Sequence, residues 1–282
     1  MKLIHYESSK FIEGVRKAWD NEHYVFDNEK DLPHDIIFLC TDTSGHKVTD
    51  NLTYYYGYTF NKKCSQDEQG QFRNAIKHFI GNKSVFYSRM AEDFVTEGIF
   101  KMDRLKSLND FEVIISTASG TPGEMSLVSL MTDICYNYMD SNTDVLNMKL
   151  YKKMCADVTF DEYKALKALQ KLNRYKDDKD AALAKVGQMK ELFEEQKESG
   201  KLFKMKLYTP APVREGFMDF LKFANETEQR IYEKLRKGTE VLICEDFVTS
   251  GSTIREMIRF LNSINPNTQI SVFVLIDQLR YC

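Results

Sequence analysis

The stretch from Glu240 to Thr253 constrains the fold more than any other part of the chain. Val241-Leu-Ile-Cys244 is a short apolar run and reads as a buried strand. Glu245 and Asp246 follow directly, where that strand is expected to end. A turn of small residues, Thr249-Ser-Gly-Ser-Thr253, then leads into a helix. Its apolar residues Ile254, Met257, Ile258 and Leu261 fall at i, i+3, i+4 and i+7, one helical face. In open α/β sheets, ligands bind just past the carboxyl ends of the strands. Free N–H groups and the positive dipole end at a helix start suit a phosphate there. An ordinary strand-to-helix turn accounts for the hydroxyls, since Ser and Thr cap helices well. It does not account for two adjacent acids, whose desolvation is costly without a partner.

The sequence upstream supplies α/β context. From Asp110 onward, strand-like and helix-like segments alternate, which implies a parallel sheet. Phe111 to Ser116 reads as a strand, and Thr117-Ala-Ser-Gly-Thr-Pro-Gly123 as a loop able to approach an anion closely. A helix with Leu127, Leu130, Met131, Ile134 and Tyr138 facing inward follows. Val145 to Tyr151 reads as the second core strand, ending in Lys152-Lys153, and Leu202 to Tyr208 alternates as a third. Val213 to Arg236 is expected to contain helix, with Phe217, Phe220, Leu221, Phe223, Ile231 and Leu235 buried. Ile270 to Ile276 is the final buried strand, ending at Asp277.

The Glu240–Thr253 stretch resembles the motif by which type I phosphoribosyltransferases bind phosphoribosyl pyrophosphate (PRPP). That motif is an apolar strand, two acids, two spacers and a Thr/Ser-Gly-Ser/Thr loop. Here it reads Val-Leu-Ile-Cys, Glu-Asp, Phe-Val, Thr-Ser-Gly-Ser-Thr. The resemblance implies a Rossmann-like parallel sheet over roughly 108–282. It implies that Glu245 and Asp246 hold the ribose hydroxyls, directly or through the water of a Mg²⁺ ion. Thr249, Ser250, Gly251, Ser252 and Thr253 would hold the 5′-phosphate. Thr117, Ala118, Ser119 and Gly120 stand where the family binds pyrophosphate. Lys152 and Lys153 stand where members carry basic residues on a mobile loop, and would neutralise the leaving group. The implied reaction moves the 5-phosphoribosyl group to a nitrogenous base or related small-molecule acceptor. Family enzymes for 6-oxopurines typically carry Asp where Thr249 stands, which leaves orotate-like, adenine-like or other acceptors. A non-catalytic PRPP or nucleotide regulator, or a conflict-system effector on the same fold, is the alternative reading.

Composition narrows the remaining classes. A 282-residue chain that is 43% hydrophobic has ample material for a sizeable core. No apolar run approaches a membrane span, and the first residues lack a signal peptide's apolar core, so a cytoplasmic protein is expected. The six cysteines include no C-x-x-C pair and read as buried thiols of a reducing compartment. The five histidines form no ligand spacing, which argues against structural zinc. A formal net charge of −3 argues against nucleic acid as a partner through a global basic field, though not against a local patch.

Two regions lie outside the resemblance. Residues 1–107 read as an α+β elaboration or small domain. Helices are expected over 9–19, 67–80 and within Met90–Leu108, and strands over Asp35–Cys40, Leu52–Phe60 and Ser84–Ser88. The tyrosines at 54, 55, 56 and 58 read as strand aromatics rather than a base-stacking platform. Residues 159–199 read as an inserted helical hairpin. It opens with a capping box at Thr159-Phe-Asp-Glu162, turns at Arg174–Asp180 and continues over Ala181–Lys197. Such a hairpin offers a lid, a homodimer contact or a protein-partner site.

Overall fold

The computed structural model describes residues 37–39, 46–49, 52–60, 69, 85–117, 126–139, 145–223, 228–248 and 251–277. The helices expected over 9–19 and 67–80 lie outside these. Chain packing separates two compact units. One is drawn from Met1–Met148, Gly238–Val248 and Gln269–Cys282, the other from Lys149–Lys237 and Thr249–Thr268.

The first unit is built on a mostly parallel sheet. Its strands are β1 (Ile37–Leu39), β2 (His46–Thr49), β3 (Leu52–Phe60), β4 (Val113–Thr117), the start of β5 (Leu146–Lys152), β9 (Glu240–Val248) and β10 (Gln269–Asp277). The strand order runs β1-β3-β10-β9-β4-β5, with β2 beside β3. β3, β10, β9 and β4 are mutually parallel, and β1 and β2 run antiparallel to β3. β4, β9 and β10 are continuous apolar runs because strands deep in a parallel sheet are covered on both faces. Val113, Ile115, Val241, Ile243, Val272 and Val274 are accordingly all buried.

Two helices of this unit pack on the sheet, α1 (Val85–Asp103) and α2 (Leu127–Tyr138). Val85–Ser88, part of the strand expected at Ser84–Ser88, is instead the start of α1. The β-rich composition of that short segment yields to the helical period of Phe94, Val95, Ile99 and Met102, which are buried. α2 begins at an N-cap, Ser126, whose hydroxyl accepts the Ser129 N–H at 3.1 Å. Leu127, Met131 and Ile134 face inward as expected, whereas Tyr138 is exposed and lies edge-on to Phe100 at 4.8 Å. Tyr55, Tyr56 and Tyr58 are buried, so the tyrosine-rich strand is core. Tyr58 stacks on Phe94 at 4.2 Å and donates its hydroxyl to the Phe94 carbonyl at 2.9 Å.

The second unit carries the helical insertion: α3 (Glu162–Leu169), α4 (Asn173–Lys176) and α5 (Lys179–Glu198). Thr159 and Phe160 form a two-residue strand, β6, paired with β7 (Phe217–Met218). Thr159 is therefore not the cap. Asp161 is, accepting the Lys164 N–H at 3.0 Å. The expected turn at Arg174–Asp180 is partly α4, and Asp178 then caps the start of α5 by accepting the Ala181 N–H at 2.9 Å. Tyr163 and Leu183 of these helices are exposed.

A buried aromatic cluster is the core of this unit. Phe193 of α5, Phe203, Tyr208, Phe217 and Phe220 meet with ring centroids 4.2–6.3 Å apart. That cluster explains two departures from expectation. Leu202–Tyr208 is not a strand: beyond one bridge between Met154 and Leu202 it turns through a 3₁₀ segment, Met205–Leu207, which brings Phe203 and Tyr208 into the cluster. Phe217–Phe223 is not helical either. It forms β7 and then β8 (Leu221–Phe223), antiparallel to the second half of β5. Among the described residues of Val213–Arg236, α-helix is confined to α6 (Glu228–Arg236), with Ile231 and Leu235 buried, and a 3₁₀ turn over Ala211–Gly216 precedes β7.

Candidate functional site

The sheet order reverses direction between β4 and β9. The strand that follows β4 in sequence, β5, lies on the far side of β4, and the strand that follows β9, β10, lies on the far side of β9. Such a switch point is where open α/β sheets leave a crevice at the carboxyl ends of their strands. The two carboxylates fall there. The ladder from β9 to β4 runs from Val241↔Val113 to Cys244↔Ser116, one residue short of Glu245. On its other side β9 stays paired with β10 as far as Val248↔Asp277. Glu245 and Asp246 are thus inside the strand rather than at its end, because pairing with β10 carries it four residues beyond Cys244. Both are half-buried, and Asp246 Oδ1 accepts the Phe247 N–H at 2.7 Å.

The residue before this pair carries no charge of its own. Cys244 is fully buried beneath Glu245, and a hydrogen bond with Cys135 of α2, with burial, pushes its thiol well above the usual range. The neighbour of the acids on the core side is therefore neutral at ordinary pH. On β4, Ser116 is buried and its Oγ has no hydrogen-bond partner among the described residues. Thr117 closes β4 and is half-buried; Ala118, Ser119 and Gly120 lie outside the described residues.

The second unit holds the helix that follows the acids in sequence, α7 (Ser252–Ile264). Thr249 and Ser250 lie outside the described residues. Gly251 is the N-cap, in the left-handed region at φ 67°, a conformation that costs other residues more. Among the described residues no side chain caps this helix, and an uncapped helix start is the kind of end an anion can occupy. Ser252 is buried and Thr253 half-buried. Ile254, Met257 and Leu261 face the core as the spacing predicts.

Sequence reading missed the ionic frame of α7. Glu256 is buried and gripped by Arg259 through two bonds, Nε to Oε2 at 2.8 Å and Nη2 to Oε1 at 2.9 Å. Arg259 also bonds Asp219, and the Glu256 bond is the main reason its guanidinium is held even more firmly charged. Arg255 reaches Glu215 at 3.5 Å. The Glu256/Arg259 spacing of three on a helix was the available signal; Asp219 had none.

Lys152 and Lys153 are at the end of β5, both half-buried. Lys152 is in register with Leu221, and Lys153 is held by its backbone on both sides. Its N–H donates to the Phe220 carbonyl at 2.8 Å and its carbonyl accepts from Phe203 at 3.0 Å. No group of three or more His, Cys, Asp or Glu suited to a metal occurs among the described residues. No helix among the described residues is long and apolar enough to cross a membrane.

A mostly parallel sheet with this switch point and two acids on a central strand define an α/β protein with a Rossmann-like sheet. Residues 221–281, from β8 through β10, match the family model for the phosphoribosyl transferase domain, in agreement with the type I phosphoribosyltransferase resemblance. No curated protein matches the chain.

Proposed function

We propose that the protein binds PRPP and transfers its 5-phosphoribosyl group to a nitrogenous base or related small acceptor, releasing pyrophosphate. The observation that carries this reading is the position of Glu245 and Asp246. They lie one step past the end of the β4–β9 ladder, inside the segment that matches the phosphoribosyl transferase domain. In this scheme the bond from ribose C1′ to the pyrophosphate oxygen breaks as a bond from C1′ to the acceptor nitrogen forms. The transition state is oxocarbenium-like, so the protein's work is to position, neutralise and exclude water rather than to supply a nucleophile.

Glu245 and Asp246 hold the ribose hydroxyls. The Thr249–Thr253 loop takes the 5′-phosphate on its amides and hydroxyls, with Gly251 allowing close approach. Thr117 to Gly120 take pyrophosphate, and Lys152 and Lys153 offset its charge. Two adjacent carboxylates, with no third ligand beside them among the described residues, fit a Mg²⁺ ion that arrives with the substrate and keeps its own water. That ion would supply charge neutralisation to the pyrophosphate. Thr249, in place of the Asp typical of 6-oxopurine enzymes, favours a different acceptor.

Calorimetry with PRPP and Mg²⁺ tests the site. Replacing both acids, Glu245→Ala with Asp246→Ala, is expected to weaken binding at least about tenfold, as loss of hydrogen bonds to charged groups does. No binding by the native chain, or binding indifferent to both changes, would sink the assignment. Pyrophosphate release across a panel of bases then separates the readings. Turnover with any base supports the transferase; tight binding without turnover supports the regulator.

A further inference from the structure

The second unit carries a lysine-rich surface that the PRPP reading does not use. On β5, Met148 and Leu150 are buried while Lys149 and Tyr151 are exposed; on β8, Leu221 and Phe223 are buried while Lys222 is exposed. Tyr151 stands directly across from Lys222 in the ladder. The buried side of this ribbon is packed: Phe223 is edge-on to Tyr232 of α6 at 5.5 Å and to Phe260 of α7 at 4.8 Å. On its other side Lys149, Tyr151 and Lys222 are exposed.

Next to the end of β5 lies the segment from Lys201 to Lys204, in which Lys201 and Lys204 are exposed. It is fixed there by the Phe203 N–H to Lys153 carbonyl bond at 3.0 Å and the Cys155 N–H to Lys201 carbonyl bond at 2.9 Å. The stretches 146–154, 201–208 and 220–223 contain no acid at all. Among the described residues, Lys149, Lys201, Lys204 and Lys222 make no ion pair. In a chain of net charge −3, such a surface is a local positive field.

We propose that this surface binds single-stranded nucleic acid, with Tyr151 as a stacking platform and Lys149, Lys201, Lys204 and Lys222 on the backbone phosphates. A lysine surface alone would suit any polyanion. The exposed ring among the lysines favours a polyanion that carries aromatic bases, since every base has a face to stack on Tyr151. An antiparallel ribbon that presents an aromatic side chain and flanking cations is a suitable support for unstacked bases. The site is independent of PRPP binding, and Tyr151 lies on the opposite side of β5 from Lys152 by strand alternation.

Fluorescence anisotropy with a labelled oligothymidine of about ten nucleotides tests it. The native chain is expected to bind at low salt and to weaken as salt rises, with a log–log slope of about −0.7 for each phosphate contact. Changing the four lysines to Gln is expected to lower affinity at least about tenfold and to flatten that slope. Tyr151→Ala is expected to weaken the oligonucleotide about fivefold or more while leaving inorganic polyphosphate binding unchanged. Urea midpoints matching the native chain establish that the variants fold. Absence of oligonucleotide binding, or a four-lysine variant that binds like the native chain, overturns the proposal. An oligonucleotide affinity untouched by Tyr151→Ala overturns the nucleic-acid assignment.

Discussion

Tyr208 is a residue at odds with its surroundings. It is fully buried among Phe193, Phe203 and Phe217, yet its hydroxyl has no hydrogen-bond partner among the described residues. Burial, and then the nearby Cys155, push its phenol above the ordinary range. An unsatisfied buried hydroxyl costs stability, so Tyr208→Phe, which keeps the ring, is expected to leave stability unchanged or raise it by up to about 1 kcal/mol. A clear drop in the urea midpoint would show that the hydroxyl is bonded. Gly216 sits at the other extreme. A Cβ there would meet the Asp161 carbonyl at 2.7 Å, Phe160 at 2.8 Å and Ala165 at 2.9 Å. Because the nearest of these is backbone, it has little room to give. Gly216→Ala is expected to destabilise by about 1–3 kcal/mol, the usual cost of overpacking, and an unchanged midpoint would refute the close approach. Neither residue announced itself in the sequence. Burial of Tyr208 depends on rings from three separate segments, and the crowding at Gly216 on a helix some fifty residues upstream.

Elements were more legible where one physical cause dominated. β4, β9 and β10 were readable as apolar runs because strands inside a parallel sheet meet apolar groups on both faces. α7 was readable from its period of 3.6 and the small-residue turn before it. The extent of β9 was not, since its last four residues are held in strand form by register with β10, a partner some thirty residues away. The acids looked like a strand end because local polarity marks ends well and pairing partners not at all. The start of α3 failed for a similar reason. Thr159 and Glu162 have the spacing of a capping box, but pairing of Thr159 with Met218 draws the chain into β6 and passes the cap to Asp161. Asp161→Ala is therefore expected to cost about 1 kcal/mol and Thr159→Ala much less. The reverse order in denaturant midpoints would restore Thr159 as the cap.

For the molecule as a whole, the buried thiols and phenol set an alkaline limit. Burial raises Cys155 against a small opposing effect of Lys197; a hydrogen bond with Cys135 and burial raise Cys244; burial raises Tyr208. Each prefers its neutral form in the folded state. Their contribution is thus fully present below the unfolded thiol value of about 8.5 and is lost as pH climbs toward the raised folded values. Stability is expected to fall as pH rises above about 8.5, and replacing Cys155 and Cys244 by Ser or Ala should shallow that slope. A flat profile over this range would contradict the burial of these groups.

The aromatic cluster of the second unit has a consequence on another timescale. Phe193, Phe203, Tyr208, Phe217 and Phe220 satisfy one another, while the first unit closes its own core around Phe94, Ile114, Leu242 and Phe273. Selection can then act on the two cores at different rates. Substitutions that drift through the helices of the insertion are compensated among its own rings, and the strand with the acid pair need not answer for them.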